Sequence, residues 1–203
     1  MVKIKICGLT RPLDIEYVNK LKPDYIGFVF ANSKRRVSAE QALEFSKNLS
    51  KDIKTVGVFV NEDIKTVREI AEKVKLNILQ FHGDEDMNYI NEFKDYQVWK
   101  AIALKNEEDL LQLDKYRKVR FLLDSKIEGL RGGSGKAFDW NILKNYNMEG
   151  QIVLAGGLSP ENVIEALNLV RPFAVDVSSG VESEGVKDYK KIKEFIGKVR
   201  SFK

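Results

Sequence analysis

The chain has 203 residues, of which 43% are hydrophobic and 32% are charged, a composition typical of an ordinary globular domain. Its 34 basic residues are nearly balanced by 30 acidic residues, and lysines are spread over every predicted helix, so no nucleic-acid partner is expected. The single cysteine, Cys7, excludes an intrachain disulfide, and the single histidine, His82, excludes the usual Cys/His zinc patterns. No apolar run approaches the roughly 18 residues of a membrane span, so no membrane partner is expected.

Strand-like and helix-like segments alternate through the first half of the chain. Apolar, β-forming runs predict strands at residues 3–7, 25–30, 55–60 and 77–81. Because the chain enters the first strand directly, we expect no signal peptide and a cytoplasmic location. Helices are predicted at residues 14–21, after a capping box of Ser38 and Gln41, from Asn61 or Asp63 to residue 74, and at residues 84–93.

The second half continues the alternation. Strands are predicted at residues 97–103, 120–123, 152–155 and 173–177, and helices at 106–116, 138–146, 160–170 and 188–200. Ser159 as the cap and Pro160 at the first helical position mark the start of the third of these helices. Residues 125–137 form the longest irregular stretch and contain four glycines, which is typical of a functional loop in a compact domain.

Eight strands and eight helices in strict alternation predict parallel strands joined by right-handed crossovers. Eight such units close into a (β/α)8 TIM barrel, and nothing in the sequence resembles a linker, so we predict one catalytic domain over residues 1–203. The competing fold is an open doubly wound sheet. The absence of a G-x-G-x-x-G pattern after the first strand argues against that fold.

In a closed barrel all eight strand ends share one face, where catalytic residues collect. Cys7 ends the first strand and Asp124 ends the sixth, so a thiol and a carboxylic acid suit proton transfer at this face. Lys5 points to the same side of its strand as Cys7, and its ammonium would favour the thiolate. The alternatives are structural: Cys7 as a small buried hydrophobe, Lys5 as an ion-pair partner, and Asp124 as a cap or loop acceptor.

Two glycine-containing turns predict an anion site. Gly156-Gly157 follows the seventh strand and Ser179-Gly180 follows the eighth, the pair of positions at which barrels commonly bind phosphate. Glycines let the backbone approach an anion closely, and Ser179 adds a hydroxyl at a possible short helix start. His82 ends the fourth strand, where a lone histidine is more often a hydrogen-bonded scaffold residue than an acid or base.

Several motifs, taken together, resemble the phosphoribosylanthranilate isomerase family of tryptophan biosynthesis. The resemblance covers nearly the whole chain and rests on KICGLT (5–10), GFVF (27–30), SKRRVS (33–38), VGVFVN (56–61), QFHGDE (80–85), LLDS (122–125), GGSGKAFDW (132–140), AGGLSPENV (155–163) and VDVSSGVE (175–182). The fold of that family is the (β/α)8 barrel, in agreement with the independent strand count.

The resemblance implies an Amadori rearrangement of N-(5-phosphoribosyl)anthranilate to an aminodeoxyribulose phosphate, without metal or cofactor. It implies Cys7 as the general base and Asp124 as the general acid. The acid would protonate the ribose ring oxygen and open the ring to an iminium ion. The base would then remove the C2′ proton to give an enolamine, which tautomerises to the ketone.

The family also uses an arginine after the second strand for the anthranilate carboxylate. Its serine–x–arginine–x–valine pattern favours Arg35, with Arg36 in the variable position, and the choice between the two stays open. The complete set of candidate substrate-binding residues is Lys5, Arg35, His82, Gly156, Gly157, Asp176, Ser179 and Gly180.

Two other functional classes compete with this interpretation. A related sugar-phosphate isomerase acting on the aminoimidazole substrate of histidine synthesis would carry an aspartate where this chain has Cys7. A non-catalytic binding barrel would be expected to lose Cys7 or Asp124, and both are present. The expected partner is therefore a small phosphorylated substrate, and the protein is expected to be a monomer or a homodimer.

Overall fold

Eight strands form a closed parallel barrel in chain order in the computed structural model, which describes residues 1–104, 107–125, 140–143 and 151–202. The strands are β1 (Lys3–Cys7), β2 (Tyr25–Val29), β3 (Lys54–Phe59), β4 (Ile78–Phe81), β5 (Gln97–Leu104), β6 (Arg120–Ser125), β7 (Ile152–Leu154) and β8 (Ala174–Val177). This topology confirms the predicted (β/α)8 barrel. Each predicted strand end lies within two residues of the observed one.

The connections between the barrel strands are mostly helical. The α-helices are α1 (Pro12–Leu21), α2 (Ala39–Lys47), α3 (Ile64–Val74), α4 (Met87–Asn91), α5 (Val163–Val170) and α6 (Tyr189–Ser201). Two connections contain 3₁₀ helices in place of the predicted α-helices, at Glu107–Tyr116 and Trp140–Leu143. The predicted glycine-rich loop lies outside the described residues apart from Ser125, the last residue of β6.

The chain divides into two compact units. The first, here the N-terminal unit, is Ile6–Ala101, and the second, the C-terminal unit, combines Met1–Lys5 with Ile102–Lys203. The N-terminal unit has an aromatic core in which Phe81 packs against Phe59, Tyr89 and Phe93. Tilted and edge-on aromatic pairs of this kind add packing energy beyond the area that they bury.

Helix starts in the N-terminal unit follow the predicted capping chemistry in part. Ser38 accepts a hydrogen bond from the backbone N–H of Gln41, and the Gln41 side chain accepts one from Ser38, which confirms the capping box. Asp63, and not Asn61, caps α3. The prediction of a helix over 84–93 was wrong at its start: α4 begins only at Met87, because Glu85 is buried in a loop network described below.

In the C-terminal unit, the predicted start of α5 was also wrong. The Ser159 hydroxyl accepts a hydrogen bond from Glu161 N–H, and the Asn162 side chain accepts one from Ser159 N–H. These bonds hold residues 159–162 in a turn, so the helix begins at Val163. A short antiparallel hairpin that was not predicted, β9 (Glu182–Ser183) with β10 (Val186–Lys187), lies between β8 and α6.

Candidate active site

Cys7 is the last residue of β1, and its side chain is buried. Gly8 follows with φ 77°, and its N–H donates to the carbonyl of Gly27 on β2 at 2.8 Å, which extends the strand pairing to the point where the chain turns away. The turn is then fixed by Asp14, whose carboxylate accepts hydrogen bonds from the N–H groups of Thr10 and Arg11. The backbone on either side of the thiol is therefore anchored.

Lys5 is fully buried and pairs with Asp176 on β8, with 2.7 Å between Nζ and Oδ2. The structure thus shows the ion-pair role that the sequence left open for Lys5. The other carboxylate oxygen of Asp176, Oδ1, is buried without a hydrogen-bond partner in the described part of the chain. Because an unpaired buried acceptor is costly, this oxygen is available to accept a hydrogen bond from a ligand.

Asp124 lies at the carboxyl end of β6 and is buried. The preceding residue, Leu123, pairs in register with Leu154 of β7, and its carbonyl accepts a hydrogen bond from Ala155 N–H at 2.8 Å. This pairing brings the end of β6 alongside the turn that follows β7. Asp124 and the Gly156-Gly157 turn therefore lie at the same end of neighbouring strands.

The turn after β7 depends on its glycines. Gly156 and Gly157 have φ values of 80° and 70°, which side-chain-bearing residues rarely adopt. Asn162 fixes the turn from the other side: its Nδ2 donates to the Gly157 carbonyl at 2.9 Å and its Oδ1 accepts from Ser159 N–H at 2.8 Å. Sequence reasoning missed this role of Asn162, because its position in a Ser-Pro-Glu-Asn run indicated a residue inside a helix.

The turn after β8 packs directly against the turn after β7. Ser179–Val181 form one 3₁₀ turn, and a Cβ added to Gly180 would overlap the carbonyl oxygen of Leu158. Among the described residues, no backbone hydrogen bond of the loops, turns and caps is donated by four N–H groups of these turns, those of Gly156, Gly157, Ser179 and Gly180. The two predicted glycine turns therefore come together and present backbone donors of the kind that bind anions.

In the N-terminal unit, His82 extends β4 by donating its backbone N–H to the carbonyl of Phe59 at 2.8 Å. Its ring is half-buried, and Nδ1 lies 3.3 Å from Nε2 of the buried Gln80. This contact agrees with the scaffold interpretation of His82.

The loop that follows His82 is organised by a buried ion pair that sequence reasoning missed. Lys100 on β5 contacts Glu85 at 2.9 Å and donates to the Gly83 carbonyl at 2.6 Å. Glu85 in turn accepts hydrogen bonds from the N–H groups of Asn61 and Gly83. A lysine is normally expected at the surface. Only the apolar residues around Lys100, from Val98 to Leu104, indicated that it is buried.

The basic loop after β2 separates its two arginines. A parallel bridge joins Arg36 to Val29, and Val37 N–H donates to the Val29 carbonyl at 2.9 Å, so the backbone here runs as an extension of the sheet. Arg35 is half-buried, whereas Arg36 is exposed. The adjacent side chains thus lie in different environments.

Neither a metal site nor a membrane segment is found in the part of the chain that the structure describes. No group of three or more His, Cys, Asp or Glu side chains there could hold a metal ion. None of the described helices has both the length and the apolar character needed to cross a bilayer.

The family model for N-(5′-phosphoribosyl)anthranilate (PRA) isomerase matches residues 4–198 of this chain. Among the curated relatives, the N-(5′-phosphoribosyl)anthranilate isomerase of Caldanaerobacter subterraneus subsp. tengcongensis is 59% identical over 200 residues, which cover 98% of each chain. The match therefore includes the segments that carry Cys7, Asp124 and both glycine turns.

Solved structures extend the similarity to the backbone. Monomers generated from the dimeric phosphoribosylanthranilate isomerase of Thermotoga maritima are 40% identical, with a TM-score of 0.88 and complete coverage of both chains. A phosphoribosyl anthranilate isomerase in complex with reduced 1-(o-carboxyphenylamino)-1-deoxyribulose 5-phosphate is 39% identical, again with a TM-score of 0.88 and complete coverage of both chains.

Proposed function

This chain belongs to the N-(5′-phosphoribosyl)anthranilate isomerase family of tryptophan biosynthesis, and from that premise we propose how its own residues carry out the reaction. The reaction moves hydrogen within one molecule: C1′ of the ribose is reduced and C2′ is oxidised, so no external oxidant or reductant is required. The protein has to supply one acid, one base and groups that orient the substrate. The observation that carries the proposal is the family match over residues 4–198, with Cys7 and Asp124 both at strand ends.

Asp124 is proposed as the general acid. Its proton goes to the ribose ring oxygen, the bond between C1′ and that oxygen breaks, and the nitrogen lone pair forms an iminium ion at C1′. Support comes from the position of Asp124 at the carboxyl end of β6 and from its burial, because a carboxyl group shielded from water can deliver a proton to one chosen atom.

Cys7 is proposed as the general base. The thiolate removes the proton from C2′, and the electrons of that C–H bond form the C1′–C2′ double bond of the enolamine while the iminium nitrogen is neutralised. The enol then loses its hydroxyl proton and C1′ gains a proton, which gives the ketone. Support comes from the burial of Cys7 and from the anchored backbone on both sides of it.

The substrate phosphate is proposed to bind at the two glycine turns, to Gly156, Gly157, Ser179 and Gly180. Their backbone N–H groups offer hydrogen-bond donors without a side chain in the way, and the turns pack against each other. A phosphate held by backbone donors fixes one end of the substrate while the reacting carbon atoms stay free to change geometry.

Arg35 is proposed to hold the anthranilate carboxylate. A planar guanidinium can donate two parallel hydrogen bonds to a carboxylate, which a lysine cannot do. The half-buried position of Arg35 supports this role, since partial shielding from water strengthens the contact, whereas Arg36 is exposed.

The remaining candidates are proposed to contact the sugar. Asp176 can accept a hydrogen bond from a ribose hydroxyl through Oδ1, which has no hydrogen-bond partner among the described residues, while Lys5 holds its other oxygen. His82 lies beside Gln80 at the end of β4, where its polar ring can contact the sugar. Each of these roles is polar and orienting, and none requires a metal or a cofactor.

We also propose that residues 1–203 act as one catalytic domain, as a monomer or a homodimer, in the cytoplasm. The family match spans nearly the whole chain, which supports a single catalytic domain. A phosphorylated, carboxylated substrate does not cross a bilayer unaided, so the enzyme has to share the compartment in which that substrate is made. Light scattering and cell fractionation test the last two points.

The test of the function is turnover of freshly prepared N-(5-phosphoribosyl)anthranilate by the purified chain, followed by the loss of its fluorescence. We expect complete conversion at catalytic enzyme concentrations, with no added metal or cofactor. The aminoimidazole substrate of histidine synthesis serves as the comparison and should be turned over far more slowly. Conversion of that comparison substrate alone would contradict the proposal.

A further inference from the structure

We propose that Lys187 is a positioning residue for the substrate phosphate, which it orients through the backbone without contacting it. Its ammonium holds the carbonyl of Ser178 and thereby aims the next N–H group at the anion. The inference rests on the proposed phosphate site at the two glycine turns and extends it to a residue that lies outside them.

Lys187 lies in β10 of the short hairpin and is almost completely buried, with 1% of its side chain exposed. Its Nζ is 2.7 Å from Glu182 Oε1, 3.0 Å from the Ser178 carbonyl oxygen and 3.4 Å from the Ser178 hydroxyl. A lysine ammonium has three N–H donors, and these contacts provide three acceptors. The ammonium is therefore occupied by protein groups and is not a direct phosphate ligand.

Glu182 is the ion-pair partner of Lys187. It pairs with Lys187 in the register of the hairpin, and only 6% of its side chain is exposed. Replacing a buried ion pair by apolar residues is often neutral or even stabilising, so a buried pair of this kind is not explained by stability alone. Because the Lys187–Glu182 pair lies beside Ser178, it can also orient the Ser178 carbonyl.

The orienting role of Lys187 follows from the geometry of the peptide unit. In a planar trans peptide the C=O of one residue and the N–H of the next point in opposite directions. Lys187 draws the Ser178 carbonyl toward the hairpin, so the N–H of Ser179 points away from the hairpin. The carbonyl oxygen, which would repel an anion, is turned away by the same contact.

The turn after β7 is built on the same principle with a neutral donor. Asn162 Nδ2 holds the Gly157 carbonyl at 2.9 Å, and the N–H of Leu158 therefore points to the opposite side. The close packing of Gly180 on Leu158 joins the two turns. Each turn thus has one side chain that holds a carbonyl and thereby sets the direction of the N–H group that follows it.

The hairpin that carries Lys187 is itself tied down. Asp188 N–H donates to the Val181 carbonyl at 2.9 Å, and the Asp188 carboxylate accepts from Ser183 Oγ and caps α6. Lys191 Nζ donates to the Glu182 carbonyl at 2.7 Å. Lys187 is therefore held on a fixed support, as a positioning residue must be.

The test compares wild type with the double variant Lys187→Met and Glu182→Leu, which removes both charges and leaves no unpaired buried ion. We expect the inhibition constant of inorganic phosphate and the KM for the phosphorylated substrate to rise by about tenfold or more, the loss typical of a misdirected hydrogen bond to an anion. The value of kcat should change little, and inhibition by anthranilate, which lacks a phosphate, should be unchanged. A merely structural role would lower Tm without this split.

A second variant, Lys187→Arg, keeps the charge but cannot place three donors in the same positions. It should raise the phosphate inhibition constant several-fold with a Tm close to that of wild type. As a matched control, removing a different buried pair with Lys100→Met and Glu85→Leu should leave phosphate inhibition unchanged, whatever its effect on Tm.

The outcomes separate the two hypotheses. If wild type is not inhibited by inorganic phosphate at all, the proposed phosphate site is wrong. If wild type is inhibited and both Lys187 variants are inhibited equally well, the phosphate site stands and the positioning role of Lys187 is overturned.

Discussion

Buried lysines are a recurring feature of this chain at the level of single residues. In the described part of the chain three lysines are buried, and each is paired with a buried carboxylate: Lys5 with Asp176, Lys100 with Glu85, and Lys187 with Glu182. Two of them also donate to a backbone carbonyl in a loop or turn at the strand ends. Lys100 and Lys187 thus each fix the backbone of a loop or turn that follows a barrel strand.

The roles of Arg35 and Arg36 can be separated by substituting each residue. Arg35→Ala should lower kcat/KM by roughly 30- to 1000-fold, the loss expected when a charge-assisted bidentate contact to the carboxylate is removed. Arg36→Ala is the matched variant on the adjacent residue and should cost less than about tenfold, as expected for an exposed charge. Steady-state kinetics with the same substrate preparation measures both.

The result that would contradict this assignment is a reversed order. If Arg36→Ala is the damaging change, the carboxylate is bound from the neighbouring position in the loop. If neither variant matters, another group holds it.

Some site residues could be predicted from the sequence and others could not, for physical reasons. The positions of Cys7 and Asp124 at strand ends could be predicted because each is preceded by an apolar β-forming run, and strand ends are visible in a sequence. Lys187 and Glu85 were not found, because their roles depend on burial and on contacts to distant backbone. In a short, polar segment, the neighbouring sequence does not indicate whether a charged residue is buried or which distant backbone groups it contacts.

The two glycine turns show what can be tested at the level of structural elements. Gly180→Ala should lower the unfolding free energy by about 1–3 kcal/mol, because the new methyl group has to displace the backbone of Leu158. The same displacement should weaken inhibition by inorganic phosphate. Thermal unfolding and phosphate inhibition measure the two effects.

Gly197 provides the control. It lies in α6, and a methyl group added there would meet no atom within 4 Å. Gly197→Ala should therefore raise the unfolding free energy by about 0.5–1 kcal/mol through helix propensity, with phosphate inhibition unchanged. Equal effects of the two substitutions would mean that the packing of Gly180 on Leu158 is not tight.

Helix boundaries were the least predictable elements, and the reason is local competition for hydrogen bonds. Ser159 followed by Pro160 has the pattern of a helix start, but Asn162 takes the Ser159 N–H and the Gly157 carbonyl for the turn. Glu85 likewise has the pattern of an early helix residue, but it is drawn into contact with Lys100. In both places the turn at the strand end takes precedence over the helix.

For the molecule as a whole, strict alternation of strands and helices was sufficient to predict the closed barrel. Parallel strands buried on both faces leave near-continuous apolar runs, and these are the strongest signals in a sequence. The β9–β10 hairpin was not predicted, because two-residue strands are too short to leave a periodic pattern.

The thermal stability of the whole molecule should depend on pH. Hydrogen bonding from Lys73 lowers the pKa of Glu40 to about 2, and bonds from Thr66, Arg68 and Ser183 lower the pKa values of Asp63, Asp95 and Asp188. A lowered folded pKa stabilises the fold above the unfolded value of about 4, and this stabilisation is lost as pH falls. Tm should therefore decrease below about pH 4.

The alkaline side has the opposite sign. Burial raises the pKa of Tyr89 to about 12, so folding favours its protonated form. That stabilisation is complete below the unfolded value of about 10 and is lost as pH rises toward the folded value. Tm measured from about pH 3 to about pH 11 should be flat in the middle and fall at both ends. Because the ion pairs Glu40–Lys73 and Asp95–Arg68 lie largely in solvent, high salt should weaken their share of the acid slope, and an unchanged slope in high salt would contradict that contribution.

The proposed mechanism assigns the isomerisation to a thiolate at the end of β1 and a carboxylic acid at the end of β6. The most direct test is kcat for wild type, Cys7→Ser and Asp124→Asn with freshly prepared N-(5-phosphoribosyl)anthranilate. Both variants should fold normally, since each nearly preserves the shape of its side chain. We predict a loss of several orders of magnitude for Cys7→Ser and of at least about 10²-fold for Asp124→Asn, with KM little changed. Near wild-type kcat in either variant would mean that the substituted residue is not the general base or the general acid.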